Sequence, residues 1–219
     1  MTTKDNEDTS TRPAGSGDAG PRPSGTAPNE TADSGSSRLA QLERNVRYLM
    51  DRTAILDCVA QHARGHDRHD SDLLTAAYHT DGIDEHGHSV NPGPQYADWA
   101  NAVHAASAQL HTHNITTHTC EIDGNTAHCE SYVLVGLLHH DGRTAQLMSG
   151  RYLDRLERRD GTWRIAARRS TVELALTADA SLLQSSFFTK QGFVKGTRDT
   201  TDLSYQRPLR HDTEPPERW

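Results

Sequence analysis

One apolar stripe follows residues 38–67 at helical spacing. Its members lie three, four or seven residues apart, as on one side of an α-helix: Leu39, Leu42, Val46, Leu49, Leu56, Ala60 and Ala63. The pattern predicts a long helix that ends near the sequence GHDRHD. Asp51 either caps a second helix or lies within a continuous one.

Asp67 falls on this stripe, one helical step beyond Ala63. We therefore expect its carboxylate at the inner end of a buried face, where an unpartnered charge is costly. Asp70 has a similar azimuth and is a rival if the helix runs that far. Alternatively, the helix ends near Gly65 and Asp67 is solvated.

Three shorter patterns come next along the chain. SDLLTAAYH predicts a short second helix capped by Ser71, and TDGIDEHGHSV predicts a short strand with turns. YADWANAVHAASAQL predicts a third helix, which carries Trp99.

The period then changes from helical to alternating. HTHNITTHTCEI, TAHCESYVLVGLLH, RTAQLMSGRYLDRLER and TWRIAARRSTVELAL are strand-like, and Asp-Gly turns separate them. Helices followed by a four-stranded antiparallel meander predict an α+β fold, with helices over one face of a curved sheet that encloses a pocket. In the first strand, alternation places His113 with His111 and Ile115, and places His118 and Cys120 on the opposite face.

Composition divides the chain into three parts. Residues 1–37 contain no Val, Ile, Leu, Phe, Tyr or Trp, so they cannot bury enough apolar surface to offset chain entropy, and we predict that they are disordered. Residues 38–175 form the predicted domain. Residues 176–219 form a C-terminal extension that we expect to be partly docked, since DASLLQSSFFTKQGFV is rich in Leu and Phe.

Charge and cysteine content narrow the function classes. The net charge of −7 and the absence of a basic stripe disfavour nucleic acid as a partner. No apolar window approaches the roughly 18 residues of a membrane span, so we expect a cytoplasmic protein without a membrane partner. Cys58, Cys120 and Cys129 lack the spacing of a zinc site.

Histidine and carboxylate chemistry is the candidate activity. A His–Asp pair moves protons near neutral pH without a metal, because the carboxylate orients the imidazole and stabilises its protonated form. The pairs His66 with Asp67 and His111 with His113 are ligand-rich, yet they have no recognised zinc spacing and no H-E-x-x-H occurs. We expect no metal and no cofactor.

Three segments together resemble the SnoaL-like branch of the NTF2-like superfamily: DRTAILDCVAQHARGHDRHDSDLLTAAYHTDGIDEHG, THNITTHTCEIDGNTAHCESYVL and GRYLDRLERRDGTWRIAARRSTVE. The resemblance covers roughly residues 38–175. It implies a cone-shaped barrel with a deep apolar pocket, assembled as a homodimer or homotrimer. Within the superfamily, the sequence resembles the branch of scytalone dehydratase and hexachlorocyclohexane dehydrochlorinase, which use a His–Asp dyad without a cofactor.

The resemblance also implies site residues. GHDRHD matches the motif that carries the dyad aspartate, which is Asp67, and the strand before the E-I-D-G turn carries the dyad histidine, which is His113. AARRS offers Arg169, which shares parity with the inward-facing Trp163, whereas Arg168 is out of phase. Tyr78 lies where such pockets often carry an aromatic residue. Apart from the resemblance, we also expect His66, which precedes Asp67, and Trp99 of the third helix to bind substrate.

The expected function is a cofactor-independent lyase of the dehydratase type, acting on an apolar polyketide-, steroid- or terpenoid-like molecule. An isomerase or cyclase on the same dyad, a non-catalytic binding or accessory subunit, and a metal-assisted reaction are the alternatives. A pocket filled by the Phe187–Phe188 segment, or a dyad out of hydrogen-bond reach, would favour the non-catalytic alternative.

Overall fold

The computed structural model describes residues 30–219, with side chains from residue 35 onward. The chain consists of two compact units, Met1–Gln41 and Leu42–Trp219. The described part of the first unit is helical, and the second contains the sheet and the candidate site. Within the described residues, no helix is long and apolar enough to cross a membrane.

Helix α1 spans Glu30–Arg68 without interruption, so Asp51 lies within a continuous helix. The predicted disordered segment 1–37 falls mostly outside the described residues, but residues 30–37 are the first turns of α1. Extending a helix costs less than nucleating one, which lets a polar sequence continue it. The helix passes Gly65 and ends where His69 adopts a positive φ of 49°.

Helix α2 spans Ser71–Ala76, and its cap is Asp70 rather than the predicted Ser71. The Asp70 side chain accepts a hydrogen bond from Leu73 N at 3.0 Å. Asp70 therefore satisfies a free N–H at the helix start, which gives it a structural role and removes it as the rival of Asp67.

Six strands form one curved, open sheet in the order β2-β1-β6-β5-β4-β3. The predicted meander is confirmed as β3 (Leu110–Asp123), β4 (Thr126–Leu138), β5 (Thr144–Arg159) and β6 (Thr162–Asp179). Two further strands, β1 (Tyr78–His86) and β2 (Ser89–Pro92), precede α3 (Gly93–Ser107). The predicted α+β class is confirmed, but β1 pairs with β6 in parallel, so the sheet is not wholly antiparallel.

Two β-bulges correct the predicted strand faces. The register of β3 shifts between Ile115 and His118, so His118 and Cys120 share the inner face with His113 instead of opposing it. The register of β6 shifts where Ile165 pairs with Leu156 and Ala167 with Arg155. An extra residue in one strand reverses the alternation beyond it, which period-two reasoning cannot anticipate.

The buried face of α1 is also not the predicted one. The fully buried row is Ile55, Val59, His62 and His66, all at 0–1% exposure, whereas Leu56 is 40% exposed. Asp67 thus lies on the edge of the packed face, on a row that is mostly exposed. The core under α1 combines this row with apolar residues from α2, α3 and the sheet: Leu74, Tyr96, Ala97, Ala100, Leu156, Trp163 and Ile165.

The C-terminal segment packs beside the end of α1. Residues 176–179 belong to β6, so the predicted boundary at residue 175 falls inside a strand. Beyond α4 (Ser186–Thr189), Tyr205 donates a hydrogen bond to Asp70 at 2.6 Å. Arg68 forms an ion pair with Asp202 at 3.3 Å. These contacts hold the segment against the helix end that carries Asp67.

Candidate active site

Asp67 and His113 meet between the end of α1 and the edge strand β3. His113 Nδ1 lies 2.7 Å from Asp67 Oδ1, and the backbone N–H of His113 donates to Asp67 Oδ2 at 2.9 Å. Both carboxylate oxygens are therefore engaged by one residue. This arrangement fixes Nδ1 as the donor and leaves Nε2 as the ring atom that accepts a proton.

A pocket of about 450 Å³ opens beside the pair. Its lining combines apolar and charged side chains: Ala60, Ala63, Arg64, Asp67, Arg68, His113, Asn114 and Ile115. Nη2 of Arg64 is buried and has no hydrogen-bond partner among the described residues. The lining is more polar than the deep apolar pocket that the family resemblance implies.

Four histidine rings pack together behind the pocket. The His66 ring stacks on His113 at a centroid distance of 4.6 Å, and His104 stacks on His111 at 4.2 Å. His111 Nε2 is 2.8 Å from the carbonyl oxygen of His66 and so donates to it. The stacking presents ring faces to His113 and holds its side chain at 4% exposure.

Burial keeps the neighbouring histidines neutral near pH 7. Desolvation, followed by the charge of His113, lowers the pKa of His66 well below its usual 6.5. Desolvation also lowers the pKa of His104 to about 2 and that of His111 to about 4. A proton taken up by His113 therefore meets neutral rings and the Asp67 carboxylate.

We expect these histidines to make the fold acid-labile. The pKa of His104 (about 2) and of His111 (about 4) lie below the unfolded value of 6.5. Below about pH 6.5 the unfolded chain therefore binds protons that the folded chain does not. The free energy of unfolding consequently decreases as the pH is lowered. Each histidine contributes about 1.4 kcal/mol per pH unit well below pH 6.5.

Urea unfolding at a series of pH values from neutral to about pH 5 measures this slope. His104→Asn should reduce the slope of the free energy of unfolding against pH by the contribution of one proton, about 1.4 kcal/mol per pH unit. His128→Gln, at an exposed position of β4, should leave the slope unchanged. A free energy of unfolding that stays constant over this range would contradict the expectation.

A hydrogen-bonded chain of buried polar groups fills the interior between α1 and the sheet. Arg168 Nη1 donates to His62 Nδ1 at 2.8 Å, and His62 Nε2 donates to the Tyr78 hydroxyl at 3.0 Å. The Tyr78 hydroxyl donates to Asp84 Oδ2 at 2.6 Å. The hydrogen-bonded series thus runs from a buried guanidinium to a buried carboxylate, and each group donates a hydrogen bond to the next.

A second branch joins this chain to the histidine stack. His86 Nδ1 lies 3.3 Å from both Asp84 Oδ1 and the Tyr96 hydroxyl. The Tyr96 hydroxyl is 3.0 Å from His66 Nε2. His66 is therefore positioned on one side by Tyr96 and on the other by the ring of His113.

The prediction that Arg169 faces the interior is wrong. Arg169 is 68% exposed at its side chain and pairs with Glu85 at 2.7 Å, whereas Arg168 is fully buried. The bulge in β6 reverses the parity on which the prediction depended. Arg168 instead forms a bidentate ion pair with Asp154, with Nε and Nη2 each donating a hydrogen bond of 2.7 Å to one carboxylate oxygen.

The other predicted binding residues do not line the pocket beside the pair. His66 and Tyr78 are buried in the polar network. Trp99 is partly buried on α3, with its ring 5.7 Å from Tyr96 and 5.8 Å from His86. A binding role for these three residues remains a prediction.

Several residues at the site were not predicted from the sequence. His62 had a usable signal, because it lies on the helical row of Ile55, Val59 and His66. Arg64 and Arg68 line the pocket, although helical spacing places them off the apolar stripe of α1. Asp154 meets Arg168 only because of the β6 bulge, and no sequence spacing indicates that pairing.

Three groups of described residues have ligand atoms within 4.8 Å of one another, which is close enough to hold a metal ion after a small adjustment. They are His66 with His104 and His113, Asp67 with His111 and His113, and His118 with Cys120 and Cys129. In the first group, Nδ1 of His66 and Nδ1 of His104 are buried without a hydrogen-bond partner.

Comparison with known proteins identifies the family. Residues 47–169, more than half of the chain, match the model of the SnoaL-like domain, so the chain belongs to the SnoaL-like family. The fold agrees with this assignment. None of the curated proteins matches the sequence.

Solved structures with the same fold include the crystal structure of LinA, which is 23% identical with a TM-score of 0.58, the match covering 61% of this chain and 93% of LinA. A putative scytalone dehydratase from Novosphingobium aromaticivorans is 17% identical with a TM-score of 0.54, over 59% of this chain and 88% of that one. A Mycobacterium tuberculosis protein of unknown function is 28% identical with a TM-score of 0.52, over 58% and 74%.

Proposed function

We propose that the protein is a cofactor-independent lyase or isomerase that removes a proton from carbon in a small molecule. The observation that carries the proposal is the 2.7 Å contact between His113 Nδ1 and Asp67 Oδ1 at the wall of a pocket. His113 acts as the base, and Asp67 holds its tautomer and balances the charge that it acquires.

In the proposed reaction, His113 Nε2 takes the proton from a carbon next to an activating group. The electron pair of the broken C–H bond forms a new double bond and expels the hydroxyl group of the adjacent carbon, which takes the proton from His113 and leaves as water, as in a dehydratase. In an isomerase the proton returns to a different carbon instead. Arg64, whose Nη2 atom is buried and has no hydrogen-bond partner among the described residues, replaces Arg169 as the group that stabilises negative charge developing on the substrate.

The proposed substrate is mostly apolar, of polyketide, steroid or terpenoid type, and carries a carbonyl or similar oxygen for Arg64. Ala60, Ala63 and Ile115 supply the apolar part of the lining. A similar dehydratase or dehydrochlorinase activity is what the names of two structural neighbours suggest.

Proton exchange in D₂O tests the proposal even where the product is unidentified. The wild-type protein is incubated with a panel of such carbonyl compounds, and NMR follows both exchange of the activated C–H and elimination. For a compound that reacts, we expect His113→Ala to lower the rate at least about 10²-fold, because the base is gone.

His118→Ala is the matched control. His118 lies on the same face of the same strand but bonds Ser131 and is outside the pocket lining. Its variant should retain the wild-type rate, and circular dichroism should confirm that both variants are folded. A His113→Ala variant as active as the wild type would refute the role of the dyad.

A non-catalytic binding role is the first alternative. The Phe187–Phe188 segment that would favour it is absent from the pocket lining, since Phe187 is 71% exposed and Phe188 packs on Phe193 and Trp219. Tight binding of a panel compound with neither exchange nor turnover would support this alternative over catalysis.

A metal-assisted reaction is the second alternative, favoured by the unpartnered Nδ1 atoms of His66 and His104 near His113. Asp67 would then orient a ligand histidine, as carboxylates do in many metal sites. Metal analysis of the purified protein distinguishes the two mechanisms: activity that is lost on chelation and restored by Zn²⁺ would replace the base mechanism.

A further inference from the structure

A row of apolar side chains on α1 faces away from the sheet. Leu42 is 58% exposed, Val46 46%, Leu49 60% and Leu56 40%. We call Leu42, Val46, Leu49, Thr53, Leu56 and Ala60 the seam. Its spacing alternates between four and three residues, as the a and d positions of a coiled-coil heptad do.

The opposite face of α1 holds the helix on its own domain. Asp51, Ile55, Cys58 and His62 are buried there, on the side of the helix away from the seam. A second helix can therefore contact the seam without displacing these buried residues.

The residue types at the seam favour a parallel coiled coil of two helices. Leu42, Leu49 and Leu56 take the d positions of the heptad, and the β-branched Val46 and Thr53 take the a positions. This combination favours two-stranded parallel coiled coils.

Charges beside the seam agree with the same orientation. In a parallel pair, Arg38 of one copy faces Glu43 of the other, and Arg52 faces Asp57. An antiparallel pair would instead bring the arginines of the two copies together and the carboxylates together. Within its own copy, Arg52 also donates a hydrogen bond to the carbonyl oxygen of Cys120.

We propose that the seam pairs with the seam of a second copy as a parallel two-stranded coiled coil. The dimer buries the exposed leucines of both copies, which is the main driving force for association. The seam ends at Ala60, which lines the pocket of Asp67 and His113. The helix of the second copy therefore reaches the rim of that pocket.

The mass of the full-length protein in solution tests the dimer. We expect light scattering after gel filtration to give two copies for the wild type and one copy for Leu42→Glu/Leu49→Glu, with the same circular dichroism in both. Leu174→Glu/Leu176→Glu is the matched control, since these leucines are 52% and 48% exposed on β6, away from the seam. That variant should remain a dimer.

A single cysteine tests the orientation. Leu42→Cys should form a disulfide between copies under mild oxidation, because a parallel pair places the two residues 42 side by side, and the native cysteines are buried. The proposal is overturned by a monomeric or trimeric wild type, by a seam variant that stays dimeric, by dissociation of the β6 control, or by failure of the Leu42→Cys variant to cross-link.

Discussion

Asp67→Asn should lower turnover about 10³-fold while leaving substrate binding nearly unchanged. The reason lies in the two hydrogen bonds that the carboxylate accepts from His113, one from Nδ1 and one from the backbone N–H. An asparagine has one acceptor and one donor group. The backbone N–H can only donate, so it takes the amide oxygen and leaves the amide NH₂ facing Nδ1.

That NH₂ group forces Nδ1 to become the acceptor and moves the ring proton to Nε2. The base atom of His113 is then blocked, although the geometry of the site is almost unchanged. Kinetics on any substrate found in the exchange screen would measure the effect as a fall in kcat with little change in KM.

Asp70→Asn provides the comparison for Asp67→Asn. Asp70 caps α2 and accepts from Tyr205, and asparagine is also a good cap, so activity should stay within about two-fold of the wild type, as is usual for a change outside the reacting groups. Equal kinetics for the two variants would show that Asp67 does not act on His113 during turnover.

Arg168→Met should lower the free energy of unfolding by about 3–5 kcal/mol. Arg168 and Asp154 both have side-chain exposures of 0%, and the guanidinium makes two bonds of 2.7 Å to the carboxylate. Removing the cation leaves an uncompensated carboxylate in the interior and also removes the donor to His62. The guanidinium carbon also lies 4.0 Å from the centroid of the Tyr152 ring, so a cation–π contact is lost as well.

Two further variants make this result specific. Arg169→Met alters the exposed neighbour and its surface ion pair with Glu85, and should change the free energy of unfolding by no more than about 0.5 kcal/mol. Arg168→Met/Asp154→Leu removes both charges and should recover much of the loss. Urea unfolding of the variants measures the differences, and equal losses for Arg168→Met and Arg169→Met would contradict the buried-pair argument.

Local patterns in the sequence were sufficient for most of the architecture. The three Asp-Gly pairs predicted the meander because Asp-Gly favours the tight turns that join antiparallel strands. Helical spacing of apolar residues predicted α1. The family motifs in GHDRHD and in the strand before the E-I-D-G turn led to Asp67 and His113, which the fold brings within 2.7 Å. The catalytic role of that pair remains a proposal.

The errors in the predicted strand faces share one physical cause. Each bulge adds one residue to one strand, as in β3 after Ile115 and in β6 near Ala166, and it reverses the faces of the residues that follow, up to the next register shift. Nothing in the local sequence marks these positions, because a bulge is stabilised by packing across the sheet. Arg168 is consequently buried, and Arg169 is exposed.

By itself, the sequence determined the helices and the strands of the meander, the α+β class and the spacing of apolar residues along α1. These features depend on residues that are close together in the sequence. Only the tertiary structure decided which face of α1 is buried and which arginine enters the interior. It also decided that four histidines stack behind the pocket. Those outcomes depend on contacts between residues far apart in the chain, where the burial of one group sets the environment and the pKa of another.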